Sequence, residues 1–423
     1  MKLPFSATTR VLVALTAAAI IGLLLAWLAP ETGTRVAAVA QPIGKLWLNA
    51  LQMTVVPLVG TLVVLGVSTA RDAAASGRIA RRAIIIFLVV LTCAATFAAI
   101  AAPAFLSLMP HSPELTDALK GAASAPSDVV PPKAAEWLTG IIPSNAIAAA
   151  AASAMLPLVV FSLFFGFALT KIEAHRHERL LELVQAIADV MIIIVRWVLA
   201  VAPIGVFALV LAVTAQAGVA TLRALGIYIA MLCVLYLVAT AMLYPVVRIW
   251  TGRSLASFAS AIFPAQAVAM STQSSLASLP AMIEVSDRKL RIPLPMVSLV
   301  LPMAVSLFRL TSPIQYIGVA AFVAWAYGID VGAMQWATAV LLAVVISLGS
   351  VGLPGQVSFM ATNMPVTQAL GLPIEPLGLL LAVDTIPDVF ATLGNVTADV
   401  SATAMVEGRP AHPHGLAPAN DDV

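Results

Sequence analysis

Residues 382–406 read AVDTIPDVFATLGNVTADVSATAMV. The stretch is apolar enough to lie in a bilayer, yet it carries Asp384, Asp388, Thr392, Asn395 and Asp399. At 100° per residue these five fall within an arc of about 80° on one helix, with Phe390, Met405 and most of the valines elsewhere. A carboxylate at a bilayer centre costs about 3 kcal/mol, so three on one stripe need partners or water. The stripe holds no basic residue and the chain around it is membrane-like, which sets aside a solvated amphipathic helix. It is read as facing a polar cavity inside a protein.

Two segments upstream do not behave as spans. The first, about 255–283, is interrupted at 271–280 by Ser-Thr-Gln-Ser-Ser-Leu-Ala-Ser-Leu-Pro; the second, about 335–370, is interrupted at 347–355 by Ser-Leu-Gly-Ser-Val-Gly-Leu-Pro-Gly. Each has an apolar arm too short to cross, a small-polar tip and a returning arm. Each precedes a long apolar run, 292–327 and 374–406. Charge topology puts the first on the cytoplasmic side and the second on the external side. A hairpin plus a helix, used twice in opposite orientation, is an inverted repeat of the kind that binds solute near the midplane. Ser and Gly tips let amides and hydroxyls approach an anionic ligand.

The remainder fits the same class. Apolar residues make up 61% and charged residues 10%, with a mean hydropathy of +1.02, whereas soluble domains carry about a quarter charged residues. Further apolar runs lie near 11–29, 43–70, 82–108, 153–171, 183–215 and 222–250. The fold class is all-α integral membrane: eight transmembrane helices plus two re-entrant helical hairpins in inverted repeat. The first run is read as a retained span, since no small-residue cleavage site follows it. With cytoplasmic N- and C-termini, the segments around Arg10, Arg78 to Arg82, Lys171 to Arg179, Arg248 to Arg253 and Arg288 to Arg291 help place 15 of the 22 Lys and Arg inside. A multi-pass protein of a bacterial inner membrane, embedded in lipid, is expected. The loop 109–137 and the tail 409–423 are read as irregular, and His412 and His414 as tail composition rather than a metal site. A net charge of +2 offers nothing to nucleic acid. Cys93 and Cys233 lack metal spacing. With no His or Cys near the stripe, an enzyme has no support.

Several short motifs stand together along the chain: Ile142-Pro143-Ser144-Asn145, Ala202-Pro203-Ile204-Gly205-Val206-Phe207, Ser274-Ser275 ahead of Leu279-Pro280, and Gly352-Leu353-Pro354-Gly355. With Asp384, Asp388, Thr392, Asn395-Val396-Thr397 and Asp399 they resemble the dicarboxylate/amino acid:cation symporter family, the glutamate-transporter fold, over most of the chain. The resemblance implies a homotrimer. Residues 1–80 and 140–220 (spans 1, 2, 4 and 5) would form a fixed scaffold. Residues 81–110 and 221–408 would form a transport unit that moves as an elevator. It implies that Ser274 and Ser275 hold a substrate α-carboxylate and that Asp388 takes its α-amino group. Thr392, Asn395, Ser312 and the gating tip with Gly352, Pro354 and Gly355 line the same pocket. Asp399, with Asn395, would be a sodium ligand.

Three departures qualify this. Acidic-substrate members carry an arginine in the last helix for the side-chain carboxylate; here the position is Ala391. The unwound piece of the seventh span, Asn-Met-Asp-Gly-Thr in the family, reads Phe308-Arg309-Leu310-Thr311-Ser312, which removes two oxygen ligands that a hard cation needs. Gln356-Val357 replaces the usual Ala-Gly after the second tip. Thr92 and Cys93 match a family Thr-Ser cation pair, but with their partners lost they are expected to be packing residues. Arg309 sits about 25 Å from either end of its apolar run, too deep to snorkel, so it must face acids: Asp384, Asp388 or Asp399. Either it replaces a sodium ion and neutralises Asp399, or it holds a substrate carboxylate. Arg196, with Asp189 two turns earlier on one face, is read as a scaffold arginine near an interface.

The expected function is a secondary transporter, symporter-like, moving a small carboxylate-bearing solute, an amino acid, with altered or absent sodium coupling. The alternatives are a C4-dicarboxylate carrier using Arg309, an anion channel, or a non-transporting relative of the fold. No cofactor is expected, and the coupling ion stays open between sodium and a proton.

Overall fold

Backbone polar groups cannot go unpaired in hydrocarbon, so a chain this apolar must bond its backbone within helices. The computed structural model describes residues 7–75, 77–110, 142–349 and 355–409, and those residues form helices joined by turns, with no strand among them. The amino-terminal part holds α1 (Ala7–Leu28), α2 (Pro30–Gln52), α3 (Val55–Ala75) and α4 (Arg78–Ser107). After the undescribed residues 111–141 come α5 (Ala146–Ala151), α6 (Met155–Leu169), α7 (Ala174–Ala200), α8 (Ala202–Ala217) and α9 (Val219–Thr251).

Two expected single spans are each two helices. The run 43–70 belongs to α2 and α3, which part at Met53-Thr54, and α2 begins as early as Pro30, where a missing N–H costs nothing at a helix start. The run 183–215 breaks at Val201. Pro203 has no N–H for the ladder, and its ring clashes with a continuing helix. The two motifs in this half have structural work. Asn145 caps α5, its Oδ1 accepting from the N–H groups of Ile147 at 2.9 Å and Ala148 at 3.0 Å. Gly205 lets the Trp47 ring lie directly on α8, where any Cβ would collide with the indole, and Trp47 Nε1 donates to Val198 O at 3.1 Å.

The second half holds α10 (Leu255–Thr272), α11 (Ser275–Glu284) leading into a π turn (Val285–Lys289), and α12 (Leu294–Leu307). It continues with α13 (Thr311–Tyr327), α14 (Ala333–Gly349), α15 (Gly355–Ala369), α16 (Leu377–Val383) and α17 (Thr385–Glu407). α10 packs on α11, and α14 on α15. The first interruption is far shorter than expected: only Gln273 and Ser274 leave the helix, because Ser271 and Thr272 bond back to Val268 O and stay helical. Consequently α10, at 18 residues, is long and apolar enough to span, contrary to the expectation of a short arm. The run 292–327 is not one helix either; it breaks at 308–310.

Seven helical stretches among the described residues are long and apolar enough to cross a membrane. α17 is the most enclosed of them, with 83% of its apolar window buried. It is packed by α9, α10, α12, α4 and α13. α1 and α2 gather on α8, while α3 packs on α6 and α7.

Candidate functional site

α17 delivers the stripe as the periodicity requires. Asp384, Thr392, Asn395 and Asp399 are buried, at 1%, 4%, 2% and 0% exposure. Asp388 alone is half-buried. Asp384 sits at the turn between α16 and α17, and its carbonyl accepts from Asp388 N at 3.0 Å, so the helical register runs through it.

The break in the run 292–327 falls where the family's unwound piece was expected. α12 ends at Phe308, whose backbone is extended, and α13 starts at Thr311. Phe308 is fixed by stacking on Phe87 of α4, with centroids 4.7 Å apart. A helix start leaves N–H groups unpaired, and Leu310 offers no side-chain cap. Asn395 of α17 supplies one from outside. Its Oδ1 accepts from Thr311 N at 3.0 Å and from Thr311 Oγ1 at 2.9 Å. Gly394 makes this possible, since a Cβ there would lie 2.7 Å from Thr311 Cγ2 and 2.8 Å from Thr240 Oγ1.

Arg309 lies in the break, half-buried, within electrostatic reach of Asp388 and Asp399. Asp384, also expected near it, has the like charge of Asp388 beside it, and Gln315 Nε2 donates to its Oδ1 at 2.8 Å. Both oxygens of Asp399 are buried without a hydrogen bond among the described residues. Ser347 of α14 reaches the break too, donating to Arg309 O at 3.5 Å.

The first hairpin tip is tied to the stripe. Gln273 adopts a left-handed backbone (φ 50°), and its Nε2 donates to Thr385 O at 3.2 Å, one turn before Asp388. Ser274 caps α11, its Oγ accepting from Ala277 N at 3.2 Å, and Ser275 follows as the first helical residue. Farther along, Gln266 of α10 bridges Tyr244 OH at 2.9 Å and Thr397 Oγ1 at 2.8 Å. Thr392 Oγ1 donates to Asp388 O at 2.9 Å, and Ser312 is buried in the first turn of α13. Gly352 and Pro354 lie outside the described residues; Gly355 opens α15.

Two glutamines, Gln266 and Gln315, were missed by reading for charge, although their signal was present as amides inside otherwise apolar runs; Gln273 was read only as part of the small-polar tip. Thr92 and Cys93, expected to pack, are exposed on α4, and the Thr92 hydroxyl bonds back to Leu88 O at 2.8 Å. Asp189 and Arg196 are both exposed on α7, with Gln185 Nε2 donating to Asp189 Oδ1 at 2.9 Å. A groove of about 510 Å³ between α2 and α8, lined by Arg35, Ile43 and Phe207 among others, contains none of the stripe.

The chain is 28% identical to the proton/glutamate-aspartate symporter of Escherichia coli (strain K12) over 418 residues, 96% of this chain and 93% of the relative. It is 29% identical to the proton/sodium-glutamate symport protein of Bacillus caldotenax over 381 residues, 88% of each. It is also 26% identical to the C4-dicarboxylate transport protein 2 of Bradyrhizobium sp. (strain ORS 278) over 399 residues, 92% of this chain and 86% of that protein. The family described as the sodium:dicarboxylate symporter family matches residues 7–409. Helices able to cross a membrane, a polar stripe buried among them and a match over nearly the whole length lead to one conclusion: this chain is an integral membrane protein that belongs to the sodium:dicarboxylate symporter family.

Proposed function

We propose that the protein is a secondary symporter for a small carboxylate-bearing solute with an α-amino group, in a bacterial plasma membrane. Eight spans and two re-entrant hairpins, α10–α11 and α14–α15, form the inverted repeat. Residues 81–110 and 221–408 move against a trimeric scaffold of residues 1–80 and 140–220. The observation that carries the reading is the uneven burial of the stripe. Asp388 is the one carboxylate of the three that is not fully enclosed, and it stands one turn beyond the residue to which the serine-tipped hairpin is tied. A carboxylate beside a helix start whose N–H groups favour anions suits a zwitterion, the amine on Asp388 and the carboxylate on the Ser274–Ser275 turn. Ala391 leaves the side-chain end without a guanidinium.

Sodium is a poor fit to Asn395 and Asp399. The Asn395 oxygen already accepts two bonds from Thr311, and Arg309 supplies positive charge beside Asp399. Arg309 therefore takes the place of one cation, and a proton is the coupling ion. A second reading, a C4-dicarboxylate carrier, is favoured by one fact: Arg309 acts on Asp388 as well as on Asp399, which puts a guanidinium within range of a bound anion.

The test is thermal stabilisation of the purified protein by neutral amino acids, acidic amino acids and C4 diacids, in sodium and in choline. A ligand that binds only the native state raises stability by RT ln(1 + [L]/Kd). A sodium-independent shift with amino acids is expected, and Arg309→Met should weaken all ligands together. A shift confined to diacids, abolished by Arg309→Met, establishes the second reading. A shift that requires sodium refutes the assignment of Arg309.

A further inference from the structure

Asp384 is the carboxylate that the rest of the site leaves unbalanced. Arg309 acts on Asp388 and Asp399, while the neighbours acting on Asp384 include the like charge of Asp388 and the Gln315 amide. Asp384 is 1% exposed; Gln315 donates to Oδ1 at 2.8 Å, and Oδ2 has no partner among the described residues. Across from it, α9 presents Tyr228 and Tyr236, both fully buried, both hydroxyls unpartnered, and both electrostatic neighbours of Asp384. All three oxygens are buried without a hydrogen-bond partner among the described residues, and each costs about 1–3 kcal/mol if left unpaired.

The groups that act on Asp384 or on its tyrosine neighbours include Asp388 of α17 and, on α9, the two tyrosines with Cys233 beside them; α9 also carries Arg223 and Arg248. α8 and α15, which also pack on α16, contain no acidic or basic residue, and α1 has only Arg10, near its start. A hard cation wants several oxygen acceptors. Here the nearest bonded atom is an amide N–H donor, and the phenols are donors as readily as acceptors. A single proton matches this set: on Oδ2 it removes the uncompensated charge beside Asp388.

We infer that Asp384, oriented by Gln315 and faced by Tyr228 and Tyr236, is a dedicated proton-binding site of the transport unit, separate from the Asp388 solute site and the Asp399–Arg309 pair. Occupancy is one O–H bond on Oδ2, made with a proton from water on one side of the membrane and broken on the other. Nothing is oxidised or reduced. Its use in coupling rests on the symporter reading; the existence of the site does not.

Infrared difference spectroscopy on the purified chain, by hydrogen/deuterium exchange at neutral pH, separates the two. A carboxylic-acid C=O band, distinct from carboxylate, is expected in the native protein. It should vanish in Asp384→Asn, remain in Asp388→Asn and Asp399→Asn, and shift in Gln315→Met, which removes the hydrogen bond to the acid, and in Tyr236→Phe, which removes a buried hydroxyl that Asp384 acts on. A native spectrum without the band overturns the site, as does a band that survives Asp384→Asn or ignores both neighbouring variants. If Asp384→Asn fails to fold, the two neighbouring variants decide. Coupling is read in proteoliposomes with labelled L-alanine, labelled L-aspartate and labelled succinate. An inward proton gradient should stimulate native uptake of one of them, and Asp384→Asn should lose that stimulation. Native vesicles that take up none of the probes count against the symporter reading alone, and stimulation that persists in Asp384→Asn overturns the coupling role.

Discussion

Asn395 shows how one residue decides between two chemistries. Its side-chain oxygen is a good ligand for a cation, but here it accepts twice from Thr311 and so closes the start of α13. The cost of breaking this depends on what is left unpaired. Thr311→Val deletes one donor and keeps the backbone N–H bond, so a loss of about 1 kcal/mol is expected. Asn395→Leu strands a buried N–H as well, and about 1–3 kcal/mol should follow. Denaturant unfolding in mixed micelles measures both. Equal losses would mean that the Thr311 N–H finds another partner and that Asn395 is not the cap. The identity of the stripe residues, and the need of Arg309 for acids, were legible because helical angle and bilayer cost act on single residues. Which acids it faces was not legible: that depends on how α13 docks on α17, and sequence periodicity carries no information about docking.

At the scale of elements, close approach is the controlling variable. α17 meets α13 and α9 at Gly394, and Gly394→Ala forces a methyl to within 2.7–2.8 Å of Thr311 and Thr240. Overpacking of this kind costs about 1–3 kcal/mol. A drop in melting temperature is expected, relieved by adding Thr311→Ser and Thr240→Ala, which remove the colliding atoms; no relief would show that the helices shift rather than clash. The far end of α17 is held differently, by the buried Arg253–Glu407 pair at 2.6 Å and by Trp250 Nε1 donating to Met405 O at 3.0 Å. The positions of most helices were readable from apolar runs. The breaks at Thr54 and Val201 were not read as breaks of a span, since hydropathy averages over a turn of two or three residues; the break at 308–310 was placed by the family resemblance, not by hydropathy. The first hairpin tip was overestimated for the opposite reason. Ser271 and Thr272 look like turn residues in composition, yet inside a helix their hydroxyls can satisfy themselves on Val268 O.

For the whole molecule, the informative surface is α7, only 11% of whose apolar window is buried. Gln185, Asp189 and Arg196 fall within about 40° of one another on this face, and Asp189 and Arg196 are both exposed there. Their separation of seven positions puts them about 10 Å apart along the helix, too far for a direct pair. Facing lipid, each charge would cost about 2.5–3.5 kcal/mol. Facing the same helix of a neighbouring copy, Asp189 of one can meet Arg196 of the next, and the cost is offset by attraction in a medium that screens weakly. Such a pairing would give the proposed trimeric scaffold a polar contact within the apolar part of α7. Arg196→Asp and Asp189→Arg, each alone, place like charges together and should dissociate the assembly in native mass spectrometry from mild detergent. The double exchange restores opposite charges and should restore it. An oligomer unaffected by either single change would place α7 against lipid and leave the pair to snorkel, whereas dissociation that the double exchange does not repair would mean that α7 lies at the contact without this pairing.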